Sequence, residues 1–154
     1  MALVMPGLER RLKAELTGEV QFDRFSRGRY ATDASHYQIM PVGVVAPRSV
    51  EEAERAIAVA RAEGVSVLAR GGGTSQAGQA VGESLIVDCS KYLTRILELD
   101  VKGARCTVEP GIVLDELNRQ LEPHGLWFPV DISTSSRATS SAHPRAKRGS
   151  RLAR

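Results

Sequence analysis

Cysteine is scarce in this chain of 154 residues: Cys89 and Cys106 are the only two, too few for a disulfide framework. Neither stands in the C-x-x-C spacing that zinc or an iron–sulfur cluster requires, so both are expected to be buried thiols. The three histidines, His36, His124 and His143, lie too far apart to form a metal set and are assigned no role. No window approaches the ~18 consecutive apolar residues of a membrane span. The apolar start, Met1 to Pro6, is too short for a signal peptide, and a soluble cytoplasmic protein is expected. Acid is missing from 140–154, which carries Arg145, Lys147, Arg148, Arg151 and Arg154. Residues 1–139 hold all 18 acids against 16 of the 21 bases, a formal charge of −2, so the net +3 belongs to the tail.

What is present reads as one packed domain, since 42% apolar and 25% charged residues are ordinary globular values. Leu8, Leu12 and Leu16 at helical spacing, with Gly18 beyond, predict a short amphipathic helix from Pro6 to Leu16. From Val20 to Tyr37 no period is sustained, and an irregular lead-in is expected. Gly43–Ala46, closed by Pro47, predicts a buried strand. Ser49 and Glu52 form a capping box, with Glu52 expected to reach back to the Ser49 amide. The helix it opens carries Val50, Ala53, Ala56, Ile57 and Ala60 on its apolar stripe and ends at Gly64. Val65–Ala69 is a second strand, so strand, helix and strand make a βαβ unit with the two strands as parallel neighbours. Leu85–Asp88 is a third strand, and Ile96–Leu99 with Arg105–Val108 a hairpin. Leu114, Leu117 and Leu121 mark a short helix ending at Gly125, and Leu126, Trp127 and Phe128 a last apolar run, expected in the core.

Five of the 14 glycines lie between Gly71 and Gly82, and three are consecutive in Arg70-Gly71-Gly72-Gly73-Thr74-Ser75-Gln76-Ala77-Gly78-Gln79. Such a run costs backbone entropy, and its physical reasons are left-handed dihedrals or close approach of main chain to a ligand. Successive exposed amides form an anion nest, to which Thr74 and Ser75 add hydroxyls; phosphate or pyrophosphate is the natural guest. The Walker pattern fails because no lysine lies between Arg70 and Lys91. The Rossmann fingerprint fails because Gln76 falls on its third glycine and no amphipathic helix follows.

Together with Tyr30-Ala31-Thr32-Asp33, Val44-Val45-Ala46-Pro47, the Ser49–Ala53 helix start, Val108-Glu109-Pro110-Gly111 and Pro129-Val130-Asp131 to Ala138-Thr139, this loop resembles the FAD-linked oxidase family of the vanillyl-alcohol oxidase type. Within it the chain is most similar to bacterial FAD- and iron–sulfur-containing dehydrogenases of D-lactate and other D-2-hydroxy acids. The resemblance implies an α+β flavin domain of the PCMH type, a βαβ subdomain plus antiparallel strands, spanning 30–139 after a lead-in at 1–29. It implies that Gly71, Gly72, Gly73, Thr74 and Ser75, with Gln76 and Gly78 behind them, hold the FAD pyrophosphate. Asp131, Ser133, Thr134, Ser135, Ala138 and Thr139 match the second FAD-contacting segment. Relatives that attach flavin covalently carry histidine where this chain has Thr74, so FAD is expected to bind non-covalently. Asp33 and Asp131 are conceivable as an acid–base pair, but nothing in their spacing fixes it; no catalytic residue is assigned.

The likeness stops at Thr139. Ser140 to Arg154 has one leucine, no aromatic and no acid, and is expected to be a disordered basic tail of a frameshifted or truncated product. Without a substrate domain, such a chain is expected to bind FAD but to be inactive alone. The rival reading is a non-enzymatic anion-binding module whose basic arm binds nucleic acid.

Overall fold

The computed structural model describes residues 6–140 and 152–153. Its helices are α1 (Pro6–Glu15), α2 (Arg24–Arg29), α3 (Val50–Ala62) and α4 (Leu114–Leu121), the last continued by a 3-10 turn over Glu122–His124. Its strands are β1 (Glu19–Gln21), β2 (Gly43–Ala46), β3 (Val67–Arg70), β4 (Leu85–Asp88), β5 (Ile96–Asp100) and β6 (Arg105–Val108).

Four strands form one sheet in the order β1-β2-β4-β3, with β1 antiparallel and the rest parallel. The βαβ strands are thus parallel but not neighbours, because β4 lies between them. Burial decides the order: all four β4 residues are buried, as are those of β2, whereas β3 is part-exposed and takes the edge. Helices α1 and α3 cover this sheet through Leu8, Leu12, Leu16, Ala56, Val59 and Ala60, packed on Val45, Leu85 and Val87. The expected stripe on α3 shifts accordingly, since Val50 and Ile57 point outward and Val59 inward. Ser49 Oγ does accept the Glu52 amide, but the Glu52 carboxylate accepts from the Arg48 amide and from the Thr17 amide and hydroxyl, not from Ser49. It thereby ties the α1–β1 turn to α3. The irregular lead-in contains β1, which pairs with β2, and α2, capped by Asp23 accepting from the Ser26 amide.

A second core lies under the β5–β6 hairpin and α4, built from Ile112, Leu117, Leu121 and Leu126 with Ile96, Leu99 and Val108. Leu126 points in and Phe128 is half-buried, but Trp127 is 47% exposed, an alternation that corrects its placement in the core. The expectation of a disordered tail does not hold at Leu152 and Ala153. Leu152 is buried in this second core, its amide donates to Ala104, and Ala153 exchanges amide–carbonyl bonds with Trp127. One leucine suffices because the core leaves a seat for it. The basic residues 145–151 and 154, and His143, lie outside the described residues.

Cys89 is buried and Cys106 half-buried, so the expectation of two buried thiols holds for the first alone. Burial, helped by nearby Asp88, pushes the Cys89 thiol up to about 11. Cys89 is therefore expected to resist iodoacetamide at mildly alkaline pH in the folded chain and to react on denaturation, as mass spectrometry of the labelled peptides would reveal. Rapid labelling of Cys89 in the folded state would contradict its placement.

Candidate functional site

Strand β3 delivers Arg70 and the glycine run to one end of the sheet. Of the three consecutive glycines, Gly73 takes the left-handed conformation, with φ +65°, and Gly78 does so further on, with φ +71°. Gly72 is required for contact instead: a Cβ there would stand 2.2 Å from the Arg137 carbonyl oxygen. The loop thus packs directly on the segment 132–138. That segment is itself fixed to the start of α4, where the Leu114 and Asp115 amides donate to Ala138 and Ser135 and Val113 bridges Thr139.

Between loop and segment lies a cleft of about 660 Å³ lined by Gly71, Gly72, Gly73, Thr74, Ser75 and Gln76 on one wall and Ser133, Thr134 and Ala138 on the other. Ala69, Gln79, Ala80 and Ile132, which the sequence reading did not single out, complete it. Among the described residues, no acceptor satisfies the amides of Gly72, Gly73, Thr74 and Ser75. Four neighbouring free amides of glycine-rich backbone are the donor set of an anion nest. The Ser75 hydroxyl is engaged within the loop, donating to Gln79 Oε1 and accepting from the Ala77 and Gln79 amides. It shapes the nest rather than lining it with a free donor.

Four of the expected residues do not line the cleft. Gly78 has its α-carbon against the Tyr37 ring, Asp131 is exposed, Ser135 offers its carbonyl to α4, and Thr139 is buried beside Val113. Asp33 serves the loop: its carboxylate accepts from the Ser35 amide and hydroxyl and from the Ala80 amide. Burial alone would raise its pKa, but these bonds and the charge of Arg70 hold it below the usual carboxylate range. Behind it, the Tyr30 hydroxyl donates to buried Asp88, and burial followed by that bond raises the phenol. His36 and His124 are exposed, and among the described residues there is no cluster of metal ligands.

A glycine cradle, free amides and facing hydroxyls fit the pyrophosphate of a dinucleotide. The comparison with known proteins decides which. Residues 41–151 match the FAD binding domain family. The chain belongs to that family. The match runs past Thr139, where the motif likeness ends, into the stretch expected to be the disordered tail of a frameshifted or truncated product. FAD is the cofactor of this domain. The chain is 40% identical over 125 residues to D-2-hydroxyglutarate dehydrogenase of Haemophilus influenzae, covering 79% of itself and 12% of that protein. It is 37% identical over 140 residues to the Escherichia coli protein of the same name, covering 89% and 14%. Against glycolate oxidase subunit GlcD of Bacillus subtilis it is 33% identical over 129 residues, covering 81% and 27%. It thus spans about an eighth of the length of the Haemophilus influenzae and Escherichia coli proteins. Among solved structures, alkyldihydroxyacetonephosphate synthase shares the fold with a TM-score of 0.79 at 23% identity, covering 88% of this chain and 30% of that one. For p-cresol methylhydroxylase the TM-score is 0.72 at 14% identity, with coverages of 85% and 27%. The flavin domain is therefore an α+β domain of the PCMH type. Among its described residues no helix is long and apolar enough to cross a membrane.

Proposed function

We propose that this chain supplies the pyrophosphate-holding part of a flavoenzyme that oxidises a D-2-hydroxy acid, and that it does not turn over by itself. The single observation behind the reading is the row of free amides from Gly72 to Ser75 facing Ser133 and Thr134 across the cleft. In it, Gly71 to Gly73 admit the diphosphate against the backbone, Thr74 and Gln76 flank it, and the Ser133 and Thr134 hydroxyls hold the opposite side. Hydride acceptance is the chemistry that FAD supplies when bound. The chain's own residues bind and orient it; a carboxylate clamp and a base for the substrate hydroxyl are tasks for residues elsewhere in a longer protein. The D-2-hydroxyglutarate dehydrogenases among the relatives favour D-2-hydroxyglutarate or a similar acid such as D-lactate as substrate.

Purified chain mixed with FAD is expected to quench flavin fluorescence stoichiometrically, and acid precipitation should leave all flavin in the supernatant, because Thr74 offers no imidazole for a covalent link. The same mixture with D-2-hydroxyglutarate or D-lactate should not reduce a dye. Failure to bind FAD would overturn the site assignment, and substrate-dependent dye reduction would overturn the division of labour.

A further inference from the structure

Arg70 lies outside every motif role assigned so far, yet its surroundings are unusual. Its Nη1 donates to the carbonyls of Tyr30 at 3.2 Å and Ala80 at 2.9 Å, and its Nη2 to that of Thr32 at 2.8 Å. The guanidinium lies 5.3 Å over the Tyr30 ring, whose hydroxyl is anchored on Asp88 at 2.7 Å. Among the described residues it forms no ion pair; Asp33 is near enough to feel its charge but binds Ser35 and Ala80 instead. Carbonyl acceptors engage both terminal nitrogens without cancelling the charge. It also sits directly behind the nest: a Cβ on Gly73 would be 2.6 Å from Nη2, an approach that glycine alone permits.

We propose that Arg70 is the positioning residue of the anion site: its fork holds the two ends of the glycine loop to the segment 30–32 that follows α2, and its charge, set behind Gly73, provides the cation that the loop itself lacks. Walker loops place a lysine in front of the phosphates; here the cation stands on the far side of the backbone, and glycine at position 73 lets the two come together. The inference rests on the reading that this loop holds the FAD pyrophosphate. It adds that FAD affinity depends on a residue that need not touch FAD.

The test uses the 154-residue chain, with FAD and inorganic pyrophosphate as probes, in wild type, Arg70→Gln and Arg70→Lys. Arg70→Gln is expected to weaken FAD roughly 30-fold, and Arg70→Lys roughly 5-fold, because the ammonium keeps the charge but not the fork. Pyrophosphate should weaken in parallel. The ratio of wild-type to Arg70→Gln affinity should shrink as salt is raised, since a charge is being screened. The ³¹P resonances of bound FAD should move in Arg70→Lys. If Arg70→Gln fails to melt cooperatively, Arg70→Lys carries the test alone. Wild-type affinity and unmoved ³¹P resonances in a folded Arg70→Lys, or a salt-independent loss in a folded Arg70→Gln, would overturn the proposal. Absence of FAD binding by wild type would instead overturn the reading of the loop.

Discussion

Gly72→Ala is expected to remove measurable FAD binding. The added Cβ would lie 2.2 Å from the Arg137 carbonyl oxygen and 3.1 Å from its carbon, which are backbone atoms that cannot rotate away. Relief requires the loop and the 132–138 segment to separate, and they are the two walls of the cleft. Overpacking of this kind costs typically ~1–3 kcal/mol when side chains can adjust, and more against fixed backbone. Separation should leave much of the sheet intact, because Gly72 follows β3 rather than lying within it. The expected result is therefore a folded protein, melting a little lower, that fails to quench flavin fluorescence. Gly72→Ala with wild-type FAD affinity would mean that the two walls do not meet at this point.

Glu109→Gln is expected to cost about 2–3 kcal/mol of stability without touching the cleft. The Glu109 side chain is 1% exposed and accepts from the Arg95 amide at 2.8 Å, Nε at 3.2 Å and Nη2 at 2.8 Å. Its own amide and carbonyl bind the Arg95 carbonyl and the Ser140 hydroxyl. Glutamine would turn an NH₂ toward the Arg95 donors and lose the charge assistance. The Arg95 side chain is largely exposed, which keeps the loss below that of a wholly buried pair. The Arg95 bonds hold the Glu109 carboxyl below the usual range. Its contribution is thus complete above the ordinary carboxylate pKa and disappears as pH falls through the lowered native value. Wild type should lose stability on acidification through that window more steeply than Glu109→Gln. Equal melting temperatures at neutral pH, or parallel acid limbs, would refute this account.

Helices were the most legible part of the chain. The leucine spacing of α1 and α4, the Ser49 cap and the left-handed Gly64 and Gly125 are local devices, and each is where the sequence places it. Strand order was not, because nothing in residues 67–88 says that the third strand will slide between the first two. A run of three apolar residues does not reveal that Trp127 points outward, because the alternation depends on the second core beneath it. The composition of 140–154 does not reveal the burial of Leu152, because one side chain needs only one vacancy in the core. The site was half visible: the glycine run does line a cleft, but Gly78, Asp131, Ser135 and Thr139 are absent from its lining.

Sequence by itself determined the family and the kind of ligand, since consecutive glycines followed by Thr74 and Ser75 have few physical uses and the ordered motifs around them are specific. Tertiary structure decided which glycine serves which purpose. Gly73 needs its dihedral and the space for the Arg70 guanidinium, while Gly72 needs the absence of a Cβ against Arg137, 65 residues away. Dihedral demand is local and leaves a compositional trace. Contact between distant backbone segments leaves none, because it exists only once β3 and the start of α4 have brought the two loops face to face.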